Sequence, residues 1–465
     1  MKILFAASEI FPYAKSGGLG DVAQALPRSL SKYADIIRVM PLYGFLDKTS
    51  FKKEDLFFEL KLGQNTYNIT IYSDIHKDIT TYFIDSDIFS RNKEFYTTKS
   101  GSYSNDNPNF GVFSAAIVEL AKHVKADLLH LNDWHCALAA LFIKEKAPHI
   151  KTVFTIHNLA YQGIFDKNVL EQLGIDGSYF NMDDLEFYDK VSFIKAGIAY
   201  SDAVTTVSEQ YAKEILTEQF GCGLHSFLSH HSKKLSGILN GIDYDIFNPK
   251  TDNAIESRFD ENSIELKNAN KQALLSKLEF KDTQIPTFVM VSRLVEQKGF
   301  GLLLDSLDDI LNKKLNLIIL AEGEGVFKHK LEHFAEKYDN FHLNFGYDED
   351  FSHKVYASGD FLLMPSLFEP CGLNQMIAMR YGTIPIVNSV GGLKDTVHED
   401  NKSCAQGIVF TEPTKDSLIC AVEKALKLYL DKTKMANTIS FNMGCNFSFE
   451  KSALLYSKLY KKVLG

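Results

Sequence analysis

Two hydrophobic periods alternate along the chain. Short continuous apolar runs, suited to strands buried on both faces, are followed by stretches in which apolar residues recur every three or four positions, suited to helices. The first run covers 3–7, and a helical pattern follows over 22–26. Over 111–124, Phe113, Ala116, Ile117, Leu120, Ala121 and Val124 share one helical face. Strands are then predicted at 128–131, 152–156 and 203–207, with Ser208 as the N-cap of the next helix. Residues 244–284 are polar and read as connecting, peripheral structure. A second series follows at 287–291, 316–320, 341–343, 361–364 and 384–387. The aromatic-rich stretch 50–110 looks less regular, and the pattern assigns it to no element.

Strands alternating with helices imply parallel sheets covered on both faces, and two such series imply two α/β halves. Ligands of such sheets bind beyond the carboxyl ends of the strands. Polar residues just past each strand are therefore the candidates for chemistry.

The first of these positions is the turn Lys15-Ser16-Gly17-Gly18-Leu19-Gly20-Asp21. Its glycines expose backbone N–H groups at a helix start, a geometry suited to a phosphate or sugar oxygen. It is neither G-x-G-x-x-G nor a Walker A loop, so it announces no dinucleotide or ATP. The bland alternative is a tight turn that needs glycine for close packing.

Composition narrows the classes. A chain of 465 residues suggests two or three domains. The net charge of −9 disfavours nucleic acid and anionic membrane surfaces as partners. An anionic substrate would then need a local basic cluster. The six cysteines form no C-x-x-C pair and resemble neither a disulfide framework nor a zinc site. The opening apolar run is short and meets Glu9 at once, unlike a signal peptide, and no run approaches the roughly 18 residues of a membrane span. These features read as a cytoplasmic protein with reduced thiols.

The basic cluster is present in outline. Arg293 follows a strand, Lys298 comes five residues later, and Lys15 is in the glycine-rich turn; Arg supplies a planar fork and Lys a point charge for phosphate oxygens. A solvated loop pair is the alternative for Arg293 and Lys298. Asp133 and His157 also lie just past strands. In Met364-Pro365-Ser366-Leu367-Phe368-Glu369-Pro370-Cys371-Gly372-Leu373 a strand ends, a carboxylate follows, and a helix is expected from about Gly372. Glu369 can accept from sugar hydroxyls while a helix start donates N–H groups; its alternative is a helix cap. Gly391-Gly392-Leu393 makes a second glycine turn. Asp85-Ser86-Asp87 resembles a metal-binding D-x-D, but so short a match reads as a surface turn. His130 and His135 are rejected as metal ligands, His225, His230 and His231 read as solvated, and Cys371 reads as a small packed residue.

Several longer motifs, in order along nearly the whole chain, resemble bacterial glycogen synthases and the related starch synthases. They are the turn 15–22, His130-Leu131-Asn132-Asp133-Trp134-His135, Thr155-Ile156-His157-Asn158-Leu159-Ala160-Tyr161-Gln162-Gly163, Leu239-Asn240-Gly241-Ile242-Asp243, Ser292-Arg293-Leu294-Val295-Glu296-Gln297-Lys298-Gly299 and Phe368-Glu369-Pro370-Cys371-Gly372-Leu373. The resemblance implies an α/β GT-B fold, two Rossmann-like domains facing across a central cleft. It places an acceptor-side domain at 1–243, a donor-side domain at 244–443, and at 444–465 a helix crossing back to the first domain.

It also implies transfer of glucose from ADP-glucose, less often UDP-glucose, to the non-reducing end of glycogen or another α-1,4-glucan. Configuration would be retained, with no metal and no cofactor. Lys15 and Gly18 would lie near the donor phosphates and sugar; Arg293 and Lys298 would bind the diphosphate. His157 and Glu369 would hold the glucosyl group, helped by backbone N–H groups near Cys371, Gly372 and Leu373. Asp21, Asp133 and Asn240 would line the same centre, and Tyr347 would pack on the base. The chain departs from the family where Leu367 replaces a usual Arg and where Asn109-Phe110 replaces a common Arg-Phe. A sugar-nucleotide epimerase on the same fold is the alternative enzyme class, and a non-catalytic sugar-nucleotide sensor is the third reading.

Overall fold

In a computed structural model the chain forms two compact units, Met1–Gly241 with Phe449–Gly465, and Ile242–Ser448. The structure describes residues 1–90, 109–323, 325–346, 348–399 and 405–465. The first unit contains β1 (Lys2–Ala6), β2 (Asp35–Pro41), β3 (Lys52–Leu62), β4 (Asn65–His76), β5 (Ile79–Asp85), β6 (Leu128–Asn132), β7 (Lys151–Ile156), β8 (Ile164–Phe165), β9 (Glu186–Phe187), β10 (Lys190–Ser192), β11 (Ala203–Thr206) and β12 (Leu235–Gly237). Nine of these form one sheet in the order β12-β11-β7-β6-β1-β2-β5-β4-β3, and β8-β10-β9 form a small separate sheet. The large sheet is parallel from β12 to β5, then antiparallel through β4 to β3.

Strand periodicity divides the core of this unit into two. Ile3 and Phe5 face a layer that includes Val22 and Leu26 of the helix Gly18–Leu30 and Tyr456 and Tyr460 of the helix Phe449–Leu464. Leu4 and Ala6 face the other layer, built on the helices Asn109–His123 and Trp134–Lys146. This two-sided burial explains the uninterrupted apolar runs. A buried polar network ties the C-terminal helix to the sheet. Tyr460 hydroxyl meets His130 Nδ1 at 2.6 Å, His130 Nε2 meets Thr155 Oγ1 at 2.7 Å, and Tyr456 hydroxyl lies 3.3 Å from both Thr155 and Thr205.

The second unit contains β13 (Thr287–Arg293), β14 (Asn316–Glu322), β15 (Phe341–Phe345), β16 (Phe361–Met364), β17 (Ile384–Asn388) and β18 (Ile408–Phe410). All pairs are parallel, in the order β15-β14-β13-β16-β17-β18. The winding direction reverses between β13 and β16, the position where doubly wound sheets open a crevice at their carboxyl ends. In the first unit the corresponding reversal lies between β1 and β6.

Two stretches differ from the sequence reading. Up to Ser90, the region that looked irregular holds β3 and β4, the longest strands of the sheet, followed by β5. In β3 the burial alternates from Lys53 onward, but the apolar pattern is blurred because Glu54 lies on the more buried face and Phe57 on the exposed one. The stretch taken as peripheral contains the helix Lys267–Lys277, in which Lys267 and Lys271 are buried. Lys267 Nζ donates to the carbonyls of Tyr356, Ala357 and Tyr381 and to Thr383 Oγ1, at 2.8–3.2 Å. Lys271 Nζ pairs with Asp360 at 2.7 Å and donates to Ile285 O. Long stems let these ammonium groups reach carbonyls at helix ends that otherwise need donors.

Lys267→Met keeps the stem and removes those donors. It is expected to destabilise the protein by about 2–4 kcal/mol, because buried acceptors lose their partner. Urea unfolding measures this, and a change below about 0.5 kcal/mol, the range of neutral surface changes, would show the carbonyls to be satisfied without it.

Candidate active site

In the first unit the site begins where β1 ends. Glu9, only 1% exposed, accepts from Ser16 N–H (2.5 Å), Ser16 Oγ–H (2.7 Å) and Gly20 N–H (3.2 Å). This carboxylate pulls the glycine-rich turn onto the strand end. A Cβ on Gly20 would lie 3.2 Å from the Lys15 side chain and 3.3 Å from Ala14 O, so the turn is closely packed as well as donor-rich. Lys15 Nζ pairs with Asp21 Oδ1 at 2.7 Å and lies 5.6 Å from the centre of the Phe11 ring. Gly18 opens the following helix, whose N-cap, Gly17, offers no side-chain cap.

At the end of β6, Asp133 has φ 56° and ψ 178°, a region almost confined to glycine. Its N–H donates to Thr155 O (2.9 Å), and its Oδ1 accepts from His157 N–H (2.7 Å). Burial pushes the Asp133 carboxyl up to about 7; backbone N–H groups of His157 and Asn158 oppose the shift, and nearby Glu9 adds to it. His157 Nε2 lies 2.9 Å from Asn132 Oδ1, and burial pushes its imidazole down to about 3. The ring is thus neutral at physiological pH. Asn240 is buried beyond β12, and among the described residues its Oδ1 has no partner.

In the second unit Arg293 is the last residue of β13 rather than a residue beyond it. A short turn, Glu296–Lys298, leads to Gly299 at φ 76°. A Cβ there would stand 2.0 Å from Pro365 O, so this loop lies directly against the turn after β16. Leu367 N–H donates to Gln297 O (2.9 Å), and Gln297 Nε2 donates to Phe368 O (3.2 Å). This clamp brings Lys298 Nζ to 2.5 Å from Glu369 Oε2, which also accepts from Ser366 Oγ–H at 3.1 Å. Glu369 is 5% exposed and is bound by a cation and a hydroxyl rather than serving as a helix cap. Among the described residues the partly exposed Arg293 guanidinium has no ion-pair or hydrogen-bond partner.

The helix expected from Gly372 begins at Asn374, with Leu373 as its N-cap; Gly372, at φ 72°, makes the turn before it. Cys371 is buried there. Gly392 N–H donates to Glu369 O (2.9 Å), and a Cβ on Gly392 would come within 2.1 Å of Cys371 O. The second glycine turn therefore props up the first. Tyr347 lies outside the described residues. Asp85 pairs with Lys48 at 3.7 Å while Asp87 starts a short helix, and among the described residues no three side chains are grouped to hold a metal ion.

Each unit thus gathers most of its described sequence candidates at its own winding reversal, while Asn240 follows the edge strand β12. Lys15, Gly18, Asp21, Asp133 and His157 surround the ends of β1, β6 and β7, and Arg293, Lys298, Glu369, Cys371 and Gly372 surround the ends of β13 and β16. Sequence reasoning missed Glu9, Asn132 and Ser366 as working residues. Their one visible signal is position, since each closes or follows a buried strand.

Residues 2–230 match the starch synthase catalytic domain family, and residues 272–440 match glycosyl transferases group 1. The chain is 39% identical over 484 residues to glycogen synthase of Clostridium novyi, covering 100% of this chain and 99% of that one. It is 40% identical over 483 residues to glycogen synthase of Desulforamulus reducens, with the same coverage. The chain belongs to the glycogen and starch synthase family. Its fold matches the catalytic domain of starch synthase IV from Arabidopsis thaliana, solved bound to ADP and acarbose, at TM-score 0.90 and 32% identity over 100% of this chain and 99% of that one. Sucrose-phosphate synthase from Thermosynechococcus elongatus shares the GT-B fold at TM-score 0.64 and 16% identity, with 99% and 98% of the two chains covered. The chain is therefore a GT-B glycosyltransferase with a mainly parallel sheet in the first domain and a wholly parallel one in the second. Among the described residues no helix is long and apolar enough to cross a membrane.

Within this family's pattern, the two departures take up local roles. Leu367 contributes its backbone to the Gln297 clamp. Asn109 Nδ2 donates to Ile88 O at 3.2 Å, next to Phe110, whose ring packs edge-on against Trp134 and His135.

Asp133 gives a pH prediction. Its folded pKa, about 7, lies above the unfolded value of about 3.9. The folded state therefore holds a proton that the unfolded state has released, and ionised Asp133 destabilises the fold as pH rises through this window. Asp133→Asn keeps an oxygen for His157 N–H and removes the charge. It is expected to be more stable than the parent at pH 8, with the advantage shrinking by about 1.4 kcal/mol per pH unit between pH 7 and 4. Unfolding curves across this range test the sign. An advantage that grows toward acid would show the carboxylate to be satisfied as an ion.

Proposed function

We propose that this glycosyltransferase moves glucose from ADP-glucose to the non-reducing end of glycogen or another α-1,4-glucan, retaining anomeric configuration, with UDP-glucose as the alternative donor. The observation that carries the reading is the 2.5 Å contact of Lys298 with Glu369 at the winding reversal of the second sheet, where Arg293, with no partner among the described residues, ends β13. Lys298 and Arg293 suit diphosphate oxygens. Glu369 suits hydroxyls of the attached sugar. Adjacent phosphate-binding and sugar-binding groups match the junction of a nucleotide-sugar donor. The ADP bound to the Arabidopsis starch synthase IV supports the choice of base by likeness.

In this reading the donor side is 244–443, the acceptor side is 1–243, and 444–465 returns to the acceptor side in the cytoplasmic enzyme. Lys15 and Gly18 approach the donor phosphates, and Tyr347 packs on the base. His157 and Glu369 orient the glucosyl ring, while Asp21, Asp133 and Asn240 line the centre. Backbone N–H groups by Cys371, Gly372 and Leu373 complete it.

As the bond from the anomeric carbon to the diphosphate oxygen breaks, negative charge grows on the leaving group, and Arg293 and Lys298 stabilise it. That oxygen then takes the proton of the incoming glucan hydroxyl, which forms the new bond on the same face. Neither a covalent glucosyl-enzyme nor a metal is required, and the protein's share is positioning and charge.

Labelled ADP-glucose and glycogen should give label released by an α-1,4-specific hydrolase, with kcat/KM well above that for UDP-glucose. Preference for UDP-glucose would reverse the donor assignment, and turnover without polymer would point to the epimerase. Activity should survive EDTA; loss with rescue by Mg²⁺ would sink the metal-free account. Lys298→Ala should lower kcat/KM by about a hundredfold or more, the scale of losing one transition-state charge contact. Near-parental values would remove Lys298 from the diphosphate site.

A further inference from the structure

We infer that Asn132 is a positioning residue that locks His157 in the Nε2–H tautomer, so that Nδ1 presents a lone pair to a substrate hydroxyl. The hydroxyl half of this inference rests on the proposed transfer; the tautomer half rests on hydrogen-bond logic alone.

Asn132 Nδ2 lies 2.9 Å from Ala6 O. A backbone carbonyl can only accept, so the amide nitrogen must face Ala6, and the amide oxygen must face His157. That oxygen also can only accept, and it lies 2.9 Å from His157 Nε2. Nε2 therefore carries a hydrogen. A neutral imidazole has one N–H, which leaves Nδ1 as the acceptor. The opposite tautomer would set two lone pairs against each other in a part-buried site. Among the described residues Nδ1 has no hydrogen-bond partner, and it does not count among the fully buried polar atoms that lack one. The ionisable groups around the ring are Asp133, bonded to the His157 backbone, His130 on β6, and Glu9 beyond Asp133.

The lock is built into the sheet. Ala6 ends β1, Asn132 ends β6 and His157 follows β7, and these are three adjacent parallel strands. Their register sets the distance from carbonyl to amide to imidazole. The His157 backbone is held separately by Asp133, so Asn132 has one ring angle and one proton to determine. An acceptor at Nδ1 selects a neutral hydroxyl and disfavours a phosphate oxygen. That assigns His157 to the sugar end of the donor rather than to its diphosphate.

The test uses the full chain labelled with ¹⁵N-histidine, His157 being assigned by its absence from His157→Gln. In the parent, His157 should show a protonated Nε2 and an unprotonated Nδ1, unchanged from pH 8 to 6. Asn132→Leu should give a mixed or reversed tautomer, with kcat reduced tenfold or more and the donor KM little changed. Asn132→Asp still accepts from Nε2–H, so it should restore the tautomer and part of kcat. A parent with Nδ1–H would overturn the lock. A shifted tautomer with undiminished kcat in Asn132→Leu would overturn the positioning role. Absence of glucosyl transfer by the parent would instead refute the proposed function and leave the tautomer reading standing.

Discussion

Three carboxylates kept away from water organise the two sites. Glu9, Asp133 and Glu369 are each at least nine-tenths buried, and each stands just beyond a parallel strand. A buried carboxylate is tolerated only where donors surround it. Each acid therefore dictates the conformation of the chain next to it. Glu9 takes two backbone amides and a hydroxyl of the glycine-rich turn. Asp133 takes the His157 amide and keeps its own backbone in a region few residues occupy. Glu369 takes Lys298 and Ser366, which fixes the loop after β13 against the turn after β16. The strained φ of Asp133 is held by this pairing and by its N–H bond to Thr155.

The scaffold under these acids is rigid for a different reason. In the first unit, Tyr456 and Tyr460 of the C-terminal helix reach Thr155, Thr205 and His130, which lie within β7, β11 and β6. The last sixteen helical residues thus fasten strands whose ends carry Asp133 and His157. In the second unit, Lys267 joins the ends of two helices to the residues before β17, and Asn374 Nδ2 donates to Val291 O within β13. Site geometry in each unit thus rests on hydrogen bonds of the scaffold as well as on the three acids.

Legibility in the sequence follows from the same physics. Buried parallel strands read clearly because both faces are apolar, and the first polar residues beyond them, such as Asp133, His157 and Glu369, stand out. Glu9 is as important to its turn as the glycines, but an acid closing an apolar run looks like a strand reaching solvent. Asn132 is hidden inside a strand whose burial pattern is complete, and only its two hydrogen bonds reveal its task. Lys267 and Lys271 read as surface charge because composition cannot show where a long stem ends. β3 was blurred because Phe57 sits on its exposed face and Glu54 on its more buried one. The family resemblance supplied expected roles for Asn240 and Tyr347 that pattern alone could not. The pairing of Lys15 with Asp21 and of Lys298 with Glu369 is legible only in three dimensions.

Those pairings bear on how an acidic protein with net charge −9 could select an anionic donor. Lys298 is bonded to a carboxylate at rest. A free diphosphate that drew Lys298 away would leave Glu369 buried with only the Ser366 hydroxyl, a loss on the order of 3–5 kcal/mol for breaking a buried pair. A sugar attached to the diphosphate changes this balance, because its hydroxyls can donate to Glu369 as the lysine turns to the phosphate. Both partners are then satisfied by one ligand. On that reading the ion pair works against a free diphosphate and favours one with a sugar attached. Under the proposed reading, discrimination for an intact nucleotide-sugar arises from the cost of separating Lys298 and Glu369, with Arg293, which among the described residues has no partner to abandon, making the first contact.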